Sequence, residues 1–178
     1  MRPIHRAGRL LAAAVACAAI GVPAAALASS ASRSVAATPP RCTAADTYVW
    51  LALSPNGAAG TIYYPVEFTN LGSTTCTLSG YPGVAAIGST YHQLGPAAGR
   101  VTMTAHTVTL KAHQTAFAAI GIVEKGIIAG CHNATAFGLQ VYPPDEKVKQ
   151  FVSSFTFSAC TNKVYMHVFP VKAGIGVP

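Results

Sequence analysis

The chain predicts an all-β fold, an antiparallel β-sandwich or barrel, and three observations carry that expectation. From Asp46 onward the dominant hydrophobic period is two. Breaks rich in Gly, Pro and Asn recur roughly every 10 to 15 residues, which marks about eight to ten short strands. No convincing amphipathic helix intervenes.

The amino terminus comes before that pattern. Basic Arg2, Arg6 and Arg9 precede an apolar run from Leu10 to about Leu27, and Ala26 and Ala28 supply an A-x-A cleavage site. Residues 1–28 therefore read as a secretory signal peptide. A retained membrane anchor is the rival reading, because the run approaches the length that spans a bilayer, but Gly21 and Pro23 interrupt it. Lipid attachment at Cys17 is a second rival, weakened by Ala14 standing where a lipobox carries leucine. Removing 28 of the 178 residues leaves 150, enough for one domain with a real core. Residues 29–41, "SSASRSVAATPPR", lack the apolar content to fold and read as a disordered lead or linker, so the β-sandwich domain is placed at 42–178.

The strands follow in order. Val49, Leu51 and Leu53 alternate with Tyr48, Trp50 and Ala52, and "SPNGAAG" then carries Pro and Asn-Gly turn signals. Ile62, Tyr64, Val66 and Phe68 alternate with Tyr63, Pro65 and Glu67, and Pro65 suggests an edge position or a bulge. The stretches "GVAAIG", "YHQLG", "RVTMT" and "TVTL" are short and β-prone. Thr115 to Val123 is apolar on both faces, as a covered central strand should be, and its Ile and Val residues favour strand over buried helix. Phe137, Leu139 and Val141, then Phe155 and Phe157, then Val164, Met166 and Val168 repeat the alternation. Pro143 and Pro144 close one strand, and "DEKVK" reads as a solvated loop.

Without Cys17, four cysteines remain: Cys42, Cys76, Cys131 and Cys160. An even number in an exported chain reads as two disulfides, and the wide spacing argues against zinc, which favours close pairs. Three pairings are possible. A sequential pairing would close two loops of roughly thirty residues, each worth about 3.5 to 4 kcal/mol on the chain-entropy model. In "TCTLSGYPGV" the staple at Cys76 would hold a strand that Gly80, Pro82 and Gly83 then end.

Together "CTAADTYVWLALS", "YYPVEFTNLGSTTCTLSGYPGV", "LQVYPP" and "FTFSAC" resemble the actinobacterial exported family called domain of unknown function 4232, over nearly all of Cys42 to Val168. The resemblance implies a secreted or membrane-tethered domain, an immunoglobulin-like sandwich, and the pairs Cys42 with Cys76 and Cys131 with Cys160. It supplies no activity and no site residues. "KAHQ" at Lys111 to Gln114 departs from the Pro-Gly turn the family often has there.

Composition narrows the function classes. The net charge of +7 falls on processing, since three of the twelve Lys and Arg lie in the signal, leaving nine against five acids. Those nine are scattered singly apart from Lys147 and Lys149, without interleaved aromatics, so nucleic-acid binding has little support. No G-x-S-x-G elbow or H-E-x-x-H motif appears, and adjacent Asp145 and Glu146 suit a turn better than an acid/base pair, so no catalytic residues and no enzyme are expected. Met103 with His106, and Met166 with His167, are copper-type donors, but Met166 and His167 are strand neighbours that should face opposite ways. His113 reads as a loop or strand-end residue, and "NAT" at Asn133 matches a glycosylation acceptor. No metal site or cofactor is assigned.

The aromatics are more suggestive, with Trp50, Tyr63 and Tyr81 on or beside strands where they could form a partner surface, although burial is the safer expectation for Trp50. The expected product is a secreted or envelope-associated binding or structural module with an unknown protein or glycan partner. It would touch the membrane only if the signal is retained or lipidated. An extracytoplasmic copper or other metal carrier is the alternative, and a secreted hydrolase comes third.

Overall fold

Fourteen strand segments account for the regular structure in the computed structural model, which describes residues 37–52, 55–153 and 155–176. The signal peptide, Cys17, most of the lead and Leu53 lie outside the described residues. In chain order the segments are β1 (Thr47–Leu51), β2 (Asn56–Ala58), β3 (Thr61–Asn70), β4 (Cys76–Ser79), β5 (Gly83–Ile87), β6 (Gly99–Arg100), β7 (Thr107–Leu110), β8 (Thr115–Val123), β9 (Asn133–Ala136), β10 (Gly138–Tyr142), β11 (Gln150–Val152), β12 (Phe157–Cys160), β13 (Met166–Val168) and β14 (Lys172–Ala173). One 3-10 turn, Lys125–Ile127, is the only helical element among the described residues, so the expectation of an all-β chain holds. The segments outnumber the expected eight to ten because several are only two or three residues long.

The largest sheet runs β1-β3-β8-β13-β6, with β2 continuing beside β3 and β14 beside β8. Its neighbours pair antiparallel except β13 with β6. A three-stranded sheet has the order β11-β10-β5, and two further pairs join β12 to β9 and β4 to β7. One core is drawn from all four: Val66, Phe68 and Ile120 from the large sheet, Leu139 and Val141 from β10, Leu78 from β4 and Ala159 from β12. Each Val, Leu, Ile or Phe among them removed from water contributes about 1.5 to 3 kcal/mol before conformational entropy is subtracted.

Strand β8 is central, as its two apolar faces predict, with β3 on one side and β13 and β14 on the other. Pro65 corrects the edge expectation, because it lies in the interior strand β3, opposite Ala119. Its missing N–H costs nothing there. On that side β1 ends at Leu51, opposite Val66, and β2 begins at Asn56, opposite Tyr63, so Pro65 meets the gap between them. Only its carbonyl is used, accepting the Ala52 N–H at 3.1 Å.

Other local expectations shift by a residue or two. Asn56-Gly57 is strand, and the hairpin instead turns at Ala59 (φ 47°) and Gly60 (φ 78°), the two left-handed residues such a turn needs. Gly60 suits the turn because φ 78° is a conformation that side chains rarely adopt. Phe137 and Val164 stand just outside β10 and β13 and are exposed, whereas the alternation had placed them with the core. "YHQLG" forms a turn rather than a strand, and in "RVTMT" only Arg100 belongs to one. At "KAHQ", His113 takes φ 64° and the Gln114 side chain accepts the Lys111 N–H at 2.9 Å, which closes the turn without Pro-Gly.

Both disulfides pair in sequence order, Cys42 with Cys76 and Cys131 with Cys160. Around the first, Thr77 N–H donates to the Pro40 carbonyl at 2.8 Å and Cys42 N–H to the Thr77 carbonyl at 2.9 Å, so the end of the lead runs parallel to β4. The "DEKVK" loop contributes Asp145 to an exposed ion pair with Arg41 at 3.1 Å.

Candidate functional site

An aromatic cleft opens where the end of β5, the β9–β10 junction and the β11–β12 connection meet. It encloses about 490 Å³ between Ile87–Ser89 and Tyr91 on one side, Phe137 on another, and Ser153, Phe155 and Thr156 on the third. Among the described residues no acid, histidine or cysteine lines it.

Local backbone geometry explains why the rings face outward. Tyr91 sits at φ 60°, held by its N–H to the Gly88 carbonyl at 3.0 Å, while Gly88 N–H donates to the His92 carbonyl at 2.9 Å. A left-handed tyrosine costs on the order of 1 kcal/mol or more, so the turn holds this ring out at a price in stability. Phe137 is turned out by its neighbour. Gly138 adopts φ 148° and passes so close to β11 that a Cβ would lie 2.2 Å from the Val152 carbonyl oxygen. The Phe137 N–H meanwhile ties this wall to β5 through the Ile87 carbonyl at 2.8 Å.

The rings continue beyond the cleft. Tyr91 meets Phe151 edge to face at 5.3 Å, and the Lys149 ammonium lies 5.2 Å from the Phe151 ring centre. Lys149 also donates to Gln140 Oε1 at 3.3 Å, and Gln140 Nε2 donates to Gln93 Oε1 at 2.7 Å, so the cation is held from beneath. Phe155 of the cleft wall stacks on Phe157 at 5.0 Å and meets Tyr64 at 5.1 Å. Burial pushes the Tyr64 phenol above its usual range, keeping it neutral. A second recess of about 470 Å³, lined by Ile62, Tyr64, Lys125 and Phe157, shares Thr156 with the first. Tyr91, Phe137 and Phe151 are 54%, 44% and 43% exposed, which makes them available to a partner rather than committed to the core.

The Cys131–Cys160 disulfide stands behind this surface. It joins the start of β9 to the end of β12, and the two strands pair from Asn133 with Cys160 to Ala136 with Phe157. Phe137 follows β9 and Phe155 precedes β12, so one cross-link fixes the strands that carry both walls.

The residues singled out in the sequence are not gathered here. Tyr81 is engaged internally: its hydroxyl lies 2.7 Å from the carbonyls of both Val101 and Met103 and donates its one proton to either, and Arg100 lies 5.5 Å from its ring centre. Trp50 is half-buried on the outer face of the large sheet and donates its indole N–H to Thr69 Oγ1 at 3.1 Å. Tyr63 lies on the same face, meeting Phe169 edge to face at 6.0 Å. Sequence reasoning passed over Tyr91, Phe137 and Phe151; the turn signals of "GSTYHQLG" and the Phe-Gly pair at 137–138 are the visible traces of their exposure.

Of the copper-type donors, Met166 is buried and His167 exposed, on opposite faces of β13 as period two requires. Met103, His106 and His113 are exposed, and no group of three or more His, Cys, Asp or Glu able to hold a metal occurs among the described residues. Asn133 is exposed on β9.

Fold and site define a disulfide-stapled all-β domain with an aromatic cleft at one side. The chain belongs to the family described as a domain of unknown function, DUF4232, whose model matches residues 42–173. No curated protein matches it. Among the described residues no helix is long and apolar enough to cross a membrane.

Proposed function

We propose that this protein is an exported recognition module, an immunoglobulin-like sandwich that binds an extracellular or envelope glycan in the aromatic cleft. The observation that carries the reading is Tyr91, a left-handed residue whose ring is held more than half exposed against Phe151. Strain maintained to expose an aromatic ring is hard to account for by stability.

The chemistry favours a saccharide. Flat rings offer the C–H faces of a sugar a stacking surface, and the hydroxyls of Ser89, Ser153 and Thr156 offer hydrogen bonds in both directions. A protein partner carrying apolar side chains is the second reading, supported by the exposed area of the same rings. Two disulfides suit an oxidising compartment and support export.

Cosedimentation with insoluble envelope polysaccharide tests this reading. Retention of the wild type, lost in the double substitution Tyr91→Ala and Phe151→Ala, is the expected result. Equal retention of both, or none of either, contradicts it.

A further inference from the structure

A carboxylate lies buried on the side of the large sheet that faces away from the core. Glu67 projects from β3 between Trp50 of β1 and Phe117 of β8, its cross-strand partners, and it is 0% exposed. What covers it is the segment from Gly174 to Gly176. After the Gly174 N–H donates to the Thr115 carbonyl at 3.0 Å, Gly174 turns at φ 96° and the backbone crosses back over the sheet. Gly176 N–H then donates to Glu67 Oε1 at 2.8 Å. Gly176 lies so low that a Cβ would come within 2.4 Å of Phe117 and 2.7 Å of Pro65. Glu67 Oε2 has no hydrogen-bond partner.

We propose that Glu67 gates a strap at residues 174–176: as a neutral acid it can lie dry beneath Gly176 beside Pro65 and Phe117, whereas the ionised carboxylate, although a better acceptor for the Gly176 N–H, is drawn to water and lifts the strap off Glu67 and Phe117.

The surroundings offer a buried charge little compensation. On this face β1 presents Tyr48 and Trp50, β3 presents Tyr63, Pro65 and Thr69, and β8 presents Thr115, Phe117 and Ala119, none of them charged at neutral pH. Lys172 of β14, across from Phe117, is exposed and makes no ion pair with Glu67, since the only one among the described residues joins Arg41 to Asp145. His167 stands further along, opposite Gly121, and His113 flanks the strap at Ala173–Ile175. Burial accordingly pushes the Glu67 carboxyl above its ordinary range, and the Gly176 N–H pulls it only part of the way back. The sign follows. Between the ordinary and the raised value the closed form holds a proton that the open form has lost, so closure is favoured on the acid side and lost as pH rises through the raised value.

The reporter is built in, because Trp50 is the only tryptophan of the chain and neighbours Glu67. In the oxidised full chain, acrylamide quenching of Trp50 should increase as pH rises from about 4 to about 8, a range that starts near the ordinary Glu value. Glu67→Gln should remove the transition and stay protected throughout, Gly176→Ala should be quenched at every pH, and His113→Gln should leave the transition in place. Quenching independent of pH in the wild type, or a transition that survives Glu67→Gln, overturns the proposal. Should Glu67→Gln fail to fold, amide exchange in the wild type decides: the protection factor of Gly176 must fall as pH rises, and a constant one overturns the gate.

Discussion

Gln150 of β11 takes the place of a strand partner for Val49 of β1: its Oε1 accepts the Val49 N–H at 3.1 Å while its Nε2 donates to the Ala44 carbonyl at 3.0 Å and to the Thr47 carbonyl. One side chain therefore satisfies the open edge of the large sheet and ties the three-stranded sheet to it. Gln150→Ala should cost about 1 to 3 kcal/mol, because it leaves the N–H of a buried residue unpaired. Gln150→Glu should cost more, since a carboxylate would face two carbonyl oxygens. Urea denaturation of the three proteins checks the order.

The disulfides differ in what they support. Replacing Cys42 and Cys76 together by Ala should lower stability by about 3.5 to 4 kcal/mol with little effect on ligand retention. Replacing Cys131 and Cys160 should cost a similar amount and also weaken retention, because that bridge joins the strands bearing Phe137 and Phe155. Melting curves paired with cosedimentation separate the two effects.

Tyr91 separates stability from function. Glycine accepts a positive φ without strain, so Tyr91→Gly should keep or raise the melting temperature while abolishing retention. A structural tyrosine would show the reverse, a clear loss of stability.

Tyr81 should behave in that structural way. Its hydroxyl donates to the carbonyl of Val101 or of Met103 and accepts the Met103 N–H at 3.2 Å, which pins residues 101–103 where no strand forms. Tyr81→Phe should cost about 1 to 1.5 kcal/mol by chemical denaturation and leave retention unchanged.

The parts of the fold written in the sequence were those governed by local alternation. Val66 and Phe68, Ile120 and Ile122, and Leu139 and Val141 all face the core as period two requires. The parts that were not legible depend on contacts distant in sequence. Pro65 signals an edge by its chemistry, yet only the gap between β1 and β2 shows why an interior strand tolerates it. Glu67 reads as a wet-face residue until Gly176, 109 residues later, is seen to cover it. The cleft was missed for a related reason. Phe137 falls in phase with Leu139 and Val141, and only the close approach of Gly138 to Val152 breaks that phase and turns the ring outward. Trp50, expected to be buried, is half-exposed beside Tyr63 on the outer face of the large sheet, and neither lines the cleft.

Chemical-shift mapping with soluble oligosaccharides released from the envelope addresses the recognition surface most directly. Perturbations concentrated at Ser89, Tyr91, Phe137, Phe151 and Phe155 are the result expected of an aromatic glycan cleft. Saturable perturbations confined to other surfaces, or none at saturating sugar, would contradict it.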